Sequence, residues 1–141
     1  MAEWKTDYIP GPPRIAVDHC GAGPLVIFMH GIGGNRSNWH DQLPEFGRHF
    51  HAAAWDGRGY GESDDYEGPL DFNDFGRDLA RVIAHFGTAR SLWRCSRARR
   101  GPFDGRRYRD GLLRALPRKG RDAYNLRLAA RFHRSDARAT R

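Results

Sequence analysis

At 141 residues the chain is long enough for one domain with one core and too short for two. Its formal charge of +7 is unevenly laid out: residues 1–90 carry 8 Lys and Arg against 13 Asp and Glu, and residues 91–141 carry 16 against 4. All ten Val, Ile and Met residues lie in the first segment. This split excludes reading the basic charge as a property of the whole chain; two kinds of sequence are joined near residue 90.

The longest apolar run is Leu25-Val26-Ile27-Phe28-Met29, far short of a membrane span. The opening residues lack the basic patch and apolar stretch of a secretory signal. Cys20 and Cys95 lie on either side of the composition break, so no disulfide framework is expected and the reading is cytoplasmic.

In chain order, Lys5 to Tyr8 and Arg14 to His19 read as short strands around a turn at Pro10-Gly11-Pro12-Pro13, where proline fixes φ and removes donors. Leu25 to Met29, bounded by turn residues, reads as a strand buried on both faces of a parallel sheet. Trp39 to Phe50 reads as a short helix interrupted at Pro44, with Trp39, Leu43 and Phe46 on one stripe. His51 to Trp55 is a second central strand, and Asp71 to Phe86 is the strongest helix. Its Phe72, Phe75, Leu79, Val82, Ile83 and Phe86 recur at spacings of three and four, with Asp71 and Asp74 at its N-terminal end and Gly87 at its stop. Strand, helix, strand, helix is an α/β pattern.

Beyond Arg90 this pattern fails. A third strand is due soon after Gly87, yet four of the ten residues from Ser91 to Arg100 are Arg. Asp122 to His133, with Tyr124, Leu128 and Phe132 four apart, reads as an amphipathic helix. The rest of residues 91–141 reads as a disordered or partly helical Arg-rich tail.

Two glycine-rich loops each follow an apolar strand. His30-Gly31-Ile32-Gly33-Gly34 turns the backbone sharply and leaves amides directed outward, where an anion can be held. A dinucleotide fingerprint is excluded because its last glycine would fall at Arg36, and no G-K-[ST] follows for a phosphate loop. Asp56-Gly57-Arg58-Gly59-Tyr60-Gly61-Glu62-Ser63 starts 26 residues after His30. There is no C-x-x-C, and the histidines lack ligand spacing beyond His49 and His51, which read as surface or strand-edge residues. Neither a metal nor a cofactor is expected.

The ordered pair of loops, over residues 24–87, resembles the α/β-hydrolase family and particularly its esterase, lactonase and dehalogenase-like members. The resemblance implies an incomplete α/β-hydrolase domain over residues 1–90. It implies hydrolysis of a small-molecule ester, lactone or related bond by a Ser-acid-His triad. The Ile32 amide would be half of an oxyanion hole, with Gly31 and Gly33 shaping it, and the loop from Asp56 to Ser63 would be structural. The family's nucleophile stands in G-x-S-x-G on a strand-to-helix turn. No such motif occurs here, and Ser91, Ser96 and Ser135 lie among arginines without flanking glycines. His133 with Asp136 reads as a solvated tail pair. The expectation is a chain that lacks the catalytic residues, with the central nucleophile strand absent, the edge of the Leu25–Met29 strand exposed, and no turnover.

The genetic code offers an origin for the tail. Joining each residue's last two bases to the next residue's first turns Arg100-Gly101-Pro102-Phe103-Asp104-Gly105-Arg106 into codons able to spell Val-Gly-His-Ser-Met-Gly-Gly. That string resembles the family's nucleophile elbow. In the same frame Pro117-Arg118-Lys119-Gly120 can become Pro, Glu, Lys or Arg, and Val, which also resembles family members. Residues from about 91 onward therefore read as a frameshift product. The rival reading takes the tail as an evolved binder of nucleic acid or anionic membrane, its arginines interleaved with Trp93, Tyr108, Tyr124 and Phe132. It carries no recognised nucleic-acid motif.

Overall fold

The computed structural model describes residues 3–86, the backbone of two further strands at 91–95 and 127–128, and Arg114. Six strands form one mixed sheet: β1 (Lys5–Ile9), β2 (Ile15–Cys20), β3 (Leu25–Met29), β4 (His51–Trp55), β5 (Ser91–Cys95) and β6 (Arg127–Leu128), in the order β1-β2-β4-β3-β5-β6. The β1–β2 and β2–β4 pairs are antiparallel, and β4, β3, β5 and β6 run parallel. A 3-10 turn at Arg36–Trp39 and the short helix α1 (Leu43–Gly47) connect β3 to β4; α2 (Phe72–Phe86) follows β4.

The unbroken apolar run of β3 has a direct cause. Leu25, Ile27 and Met29 pack into the core beneath α2, with Ile15, Val17, Ala53, Trp55, Phe75, Leu79, Val82 and Ile83. Val26 and Phe28 face the opposite layer with Cys20, Leu43, Ala52 and Ala54, against Trp39, Phe46 and Phe50. Both faces of the strand are covered, so neither parity of position can be polar. The alanines of β4 admit the close approach of the α1 layer, and at Gly47 an added Cβ would come within 2.6 Å of Cys20 Sγ.

The Leu25–Met29 and His51–Trp55 strands have the expected bounds, and the long helix starts one residue later than expected, at Phe72. Three expectations are corrected. Pro44 does not interrupt a helix; it sits in the first turn of α1, where its missing N–H costs nothing. The slot beside β3 is not empty: β5 fills it in parallel register from Leu25↔Ser91 to Met29↔Cys95, so the edge of β3 is paired and not exposed. Strand pairing is made by backbone groups, so an Arg-containing segment takes the slot where apolar composition alone does not foresee a strand. Arg127–Leu128 pairs with β5 as a strand, where a helix over 122–133 was expected. The remainder of that range and the expected character of the tail lie outside the described residues.

Leu79 is fully buried between α2 and the sheet. Leu79→Ala is expected to lower stability by about 3 kcal/mol, read as a shifted urea midpoint in Trp fluorescence; a loss under about 1 kcal/mol would show that α2 does not seal this core.

Candidate functional site: two loops braced at the carboxyl ends of β3 and β4

Parallel strands leave their carboxyl ends on one rim of the sheet, and ligand sites in such sheets lie along that rim. Here the loops after β3 and β4 meet. His30, almost fully buried, fastens them: its Nε2 accepts a hydrogen bond from the Gly57 amide at 2.9 Å, and its Nδ1 lies 2.9 Å from the Gly31 carbonyl. Both bonds are satisfied only by the neutral ring carrying its proton on Nδ1. Burial pushes the His30 pKa below its ordinary value, outweighing the opposing effects of the Gly31 carbonyl and Asp56. His30 therefore acts as a neutral strut.

Gly31 to Gly34 form a tight turn closed by the Gly34 amide on the Gly31 carbonyl at 3.0 Å. Gly33 holds φ of +75°, as the third position of a type II turn requires. Ile32, at the turn's second position, is 62% exposed despite being a large apolar residue. Among the described residues no hydrogen bond uses its amide. The sequence-derived trio Gly31, Ile32 and Gly33 is thus one exposed turn at the end of β3. The register of β5 brings Cys95 level with Met29, immediately before this turn.

Arg36 supplies the second brace, which the sequence reading missed. Its backbone amide donates to Asp56 Oδ1 at 2.7 Å and its guanidinium Nη1 pairs with Asp56 Oδ2. Nε lies 2.9 Å from Asp18 Oδ1, and Nη2 lies 2.9 Å from Glu62 Oε1. Asp56 is fully buried and also accepts the Glu62 amide at 2.9 Å. Gly61, at φ +52°, lies so close that an added Cβ would stand 2.1 Å from Asp56 Oδ2. Burial opposes the charges on Asp18 and Arg36, yet their partners prevail. Thr6, His40 and Arg36 hold the Asp18 carboxyl below its ordinary range, and Glu62, Asp18 and Asp56 hold the guanidinium above its own. No local pattern in the sequence marks this brace, since Asp18, Asp56 and Glu62 lie 18, 20 and 26 residues from Arg36.

The loop after β4 is tied on all sides. Ser63 Oγ donates to the Asp56 carbonyl at 2.7 Å and accepts from the Ala16 amide at 2.8 Å. Arg58 grips buried Asp78 of α2 through Nε at 2.7 Å and Nη2 at 2.9 Å, in bidentate geometry. Ser91 begins β5; Ser96, Ser135, His133 and Asp136 lie outside the described residues.

Residues 24–90 match the family described as alpha/beta hydrolase fold. Epoxide hydrolase 3 of Mus musculus is 52% identical over 44 residues, 31% of this chain and 12% of that protein. The 2-(acetamidomethylene)succinate hydrolase of Mesorhizobium japonicum is 36% identical over 63 residues, 45% of this chain and 23% of that protein. The match to these curated relatives thus spans less than a quarter of their length. The crystal structure of E-2-(acetamidomethylene)succinate hydrolase superposes with a TM-score of 0.62 at 26% identity, covering 66% of this chain and 35% of that one. The epoxide hydrolase CorEH superposes at 0.59 with 21% identity over 67% of this chain and 33% of that one, a likeness of fold alone.

Two substitutions test the Arg36 brace. Asp56→Asn leaves the guanidinium with a buried neutral partner and is expected to cost about 3 kcal/mol in urea unfolding; a neutral effect would remove Asp56 from the bracing role. Because the folded state lowers the Asp18 pKa, its contribution is present above about pH 4 and is lost as pH falls through the folded value. Asp18→Asn is therefore expected to flatten the acid limb of the stability profile, and an unchanged limb would assign the acid sensitivity elsewhere.

Proposed function

The N-terminal part of this chain is an incomplete α/β-hydrolase fold, and from that premise we propose that the turn of Gly31, Ile32 and Gly33 is its oxyanion loop. The observation that carries the reading is exposed Ile32, whose amide makes no hydrogen bond among the described residues, in a turn whose two sides are braced by His30 and Arg36 before any substrate arrives. A preorganised donor of this kind stabilises the negative oxygen formed when a nucleophile adds to a carbonyl, and needs no reorganisation during the reaction. The chemistry is hydrolysis of a small-molecule ester, lactone or related bond. The activities for which the relatives are named, those of an epoxide hydrolase and a 2-(acetamidomethylene)succinate hydrolase, support hydrolysis of a small molecule as the class.

The loop is half of a catalytic site. The other half requires a nucleophile at the end of the strand beside β3, an acid and a general base. The sequence holds no G-x-S-x-G, and we propose that the chain is inactive as it stands because residues from about 91 onward are read in a shifted frame. The shifted codons at Arg100 to Arg106 support this because they can spell a nucleophile elbow, which hydrolase chemistry needs and which the expressed frame lacks.

Four measurements test the reading. The full chain is expected to hydrolyse p-nitrophenyl acetate no faster than free histidine does, and saturable turnover would overturn the assignment of inactivity. Labelling of any serine by a fluorophosphonate probe, Ser96 included, would overturn it as well. Sequencing the gene around codons 85–105 should reveal the frame break, and a continuous frame without a shifted elbow would remove that origin. In a chain with the frame restored, Ile32→Pro keeps the turn, whose second position favours proline, while deleting the amide. It is expected to lower kcat about 10²–10³-fold, and a kcat within about threefold of the parent would mean the Ile32 amide is not the donor.

A further inference from the structure

At the rim of the sheet opposite the two loops, four ionisable groups from four elements meet. His51 opens β4, His19 lies on β2, Asp7 on β1, and His85 in the last turn of α2. His19 Nδ1 and His51 Nε2 are 2.9 Å apart, both rings partly buried. The second nitrogen of His19, Nε2, is buried without a hydrogen bond and stands 3.4 Å from Asp7 Oδ2. The same carboxylate oxygen is 3.1 Å from His85 Nε2. Phe86 packs against all three imidazoles, with ring centroids 4.9 Å from His19, 4.7 Å from His51 and 5.0 Å from His85. The sequence reading placed His51 at the surface or strand edge; it is instead half-buried and central to this group.

Proton counting decides what the group can do. A nitrogen pair at 2.9 Å needs one donor and one acceptor. With both rings neutral, His51 donates to His19 Nδ1 and the His19 Nε2–H faces Asp7. A first added proton is accommodated without breakage: His19 becomes the cation, donates to His51, and turns its other N–H to the Asp7 carboxylate. A second proton leaves two N–H donors facing each other, and the contact cannot survive. We infer that His51, His19, Asp7 and His85 form a proton-operated latch: the second proton drives the His19 and His51 rings apart and so removes the seat of Phe86, which holds the last turn of α2 on the sheet.

The charges around the pair agree. Burial lowers the His51 pKa most, the His19 ring lowers it further, and Asp7 opposes both. His85 lowers the Asp7 pKa most, against burial and with help from His19, so the carboxylate keeps its charge to below its ordinary range. The groups that face the pair are Lys5, opposite His19 in the register, and Asp7 from β1, with His85 from α2. Among these described groups Asp7 is the one anion, so no second carboxylate compensates a second proton. A His whose folded pKa lies below its ordinary value stabilises the fold above about pH 6.5, and that contribution is lost as pH falls toward the folded value.

This inference is independent of the hydrolase reading and is tested on the full chain by amide hydrogen exchange at about pH 7.5 and about pH 5, corrected for intrinsic rates. Protection of the Val82 to Phe86 amides is expected to fall about tenfold or more at the lower pH, with β3 amides unchanged. In His51→Gln, which keeps a hydrogen-bonding side chain but does not titrate, that selective loss is expected to vanish. No loss in the parent chain, an equal loss in β3, or the same loss in His51→Gln would each overturn the latch. Should His51→Gln not fold, imidazole nitrogen shifts of the parent chain decide: separate protonation steps for His19 and His51 support it. Coincident, independent steps overturn it.

Discussion

One charge cluster organises the rim that carries the two loops: a single guanidinium, Arg36, shared by three carboxylates from β2 and the loop after β4. Asp18 belongs to β2, Asp56 directly follows β4, and Glu62 lies further along the same loop. The cluster replaces water around two buried carboxylates, a replacement that succeeds only when the carboxylates are paired. The pairing of Asp56 in turn fixes where the loop after β3 can lie, because the backbone amide of Arg36 is itself one of the bonds. The position of the exposed Ile32 turn follows from electrostatics several residues away.

His30 complements this with a neutral contact. A charged ring there would lose its acceptor nitrogen and release Gly57, so the same burial that keeps it neutral keeps the two loops joined. Arg58 extends the arrangement to α2 through Asp78, which Arg81 also grips while its guanidinium caps the Pro10 and Pro13 carbonyls. The rim is therefore linked to the helix layer and to the turn between β1 and β2 by ionic contacts, while apolar packing alone seals the interior beneath.

Much of this was legible in the sequence, for reasons that differ by element. The β3 run and the α2 stripe are direct imprints of burial, on two faces and on one face respectively. The glycine loops were legible because tight turns need residue types that few other contexts demand. Pro44 was misread because proline both breaks helices and begins them, and only the position of the first turn distinguishes the cases. The Arg36 cluster was missed because its partners are 18, 20 and 26 residues away in the chain, and no periodicity marks a long-range ion pair. β5 was missed for a deeper reason: its pairing with β3 is made by backbone groups common to all residues, so composition carried little signal for it.

That last feature separates two properties usually acquired together. A seat next to an apolar strand selects for extended backbone, whereas catalysis selects for one hydroxyl or carboxylate at the seat's far end. The shifted frame proposed above would satisfy the first demand while discarding the second, because peptide groups are frame-blind and side chains are not. Sheet closure in such a polypeptide is consequently no guide to whether it turns over substrate, and the architecture can outlast its chemistry.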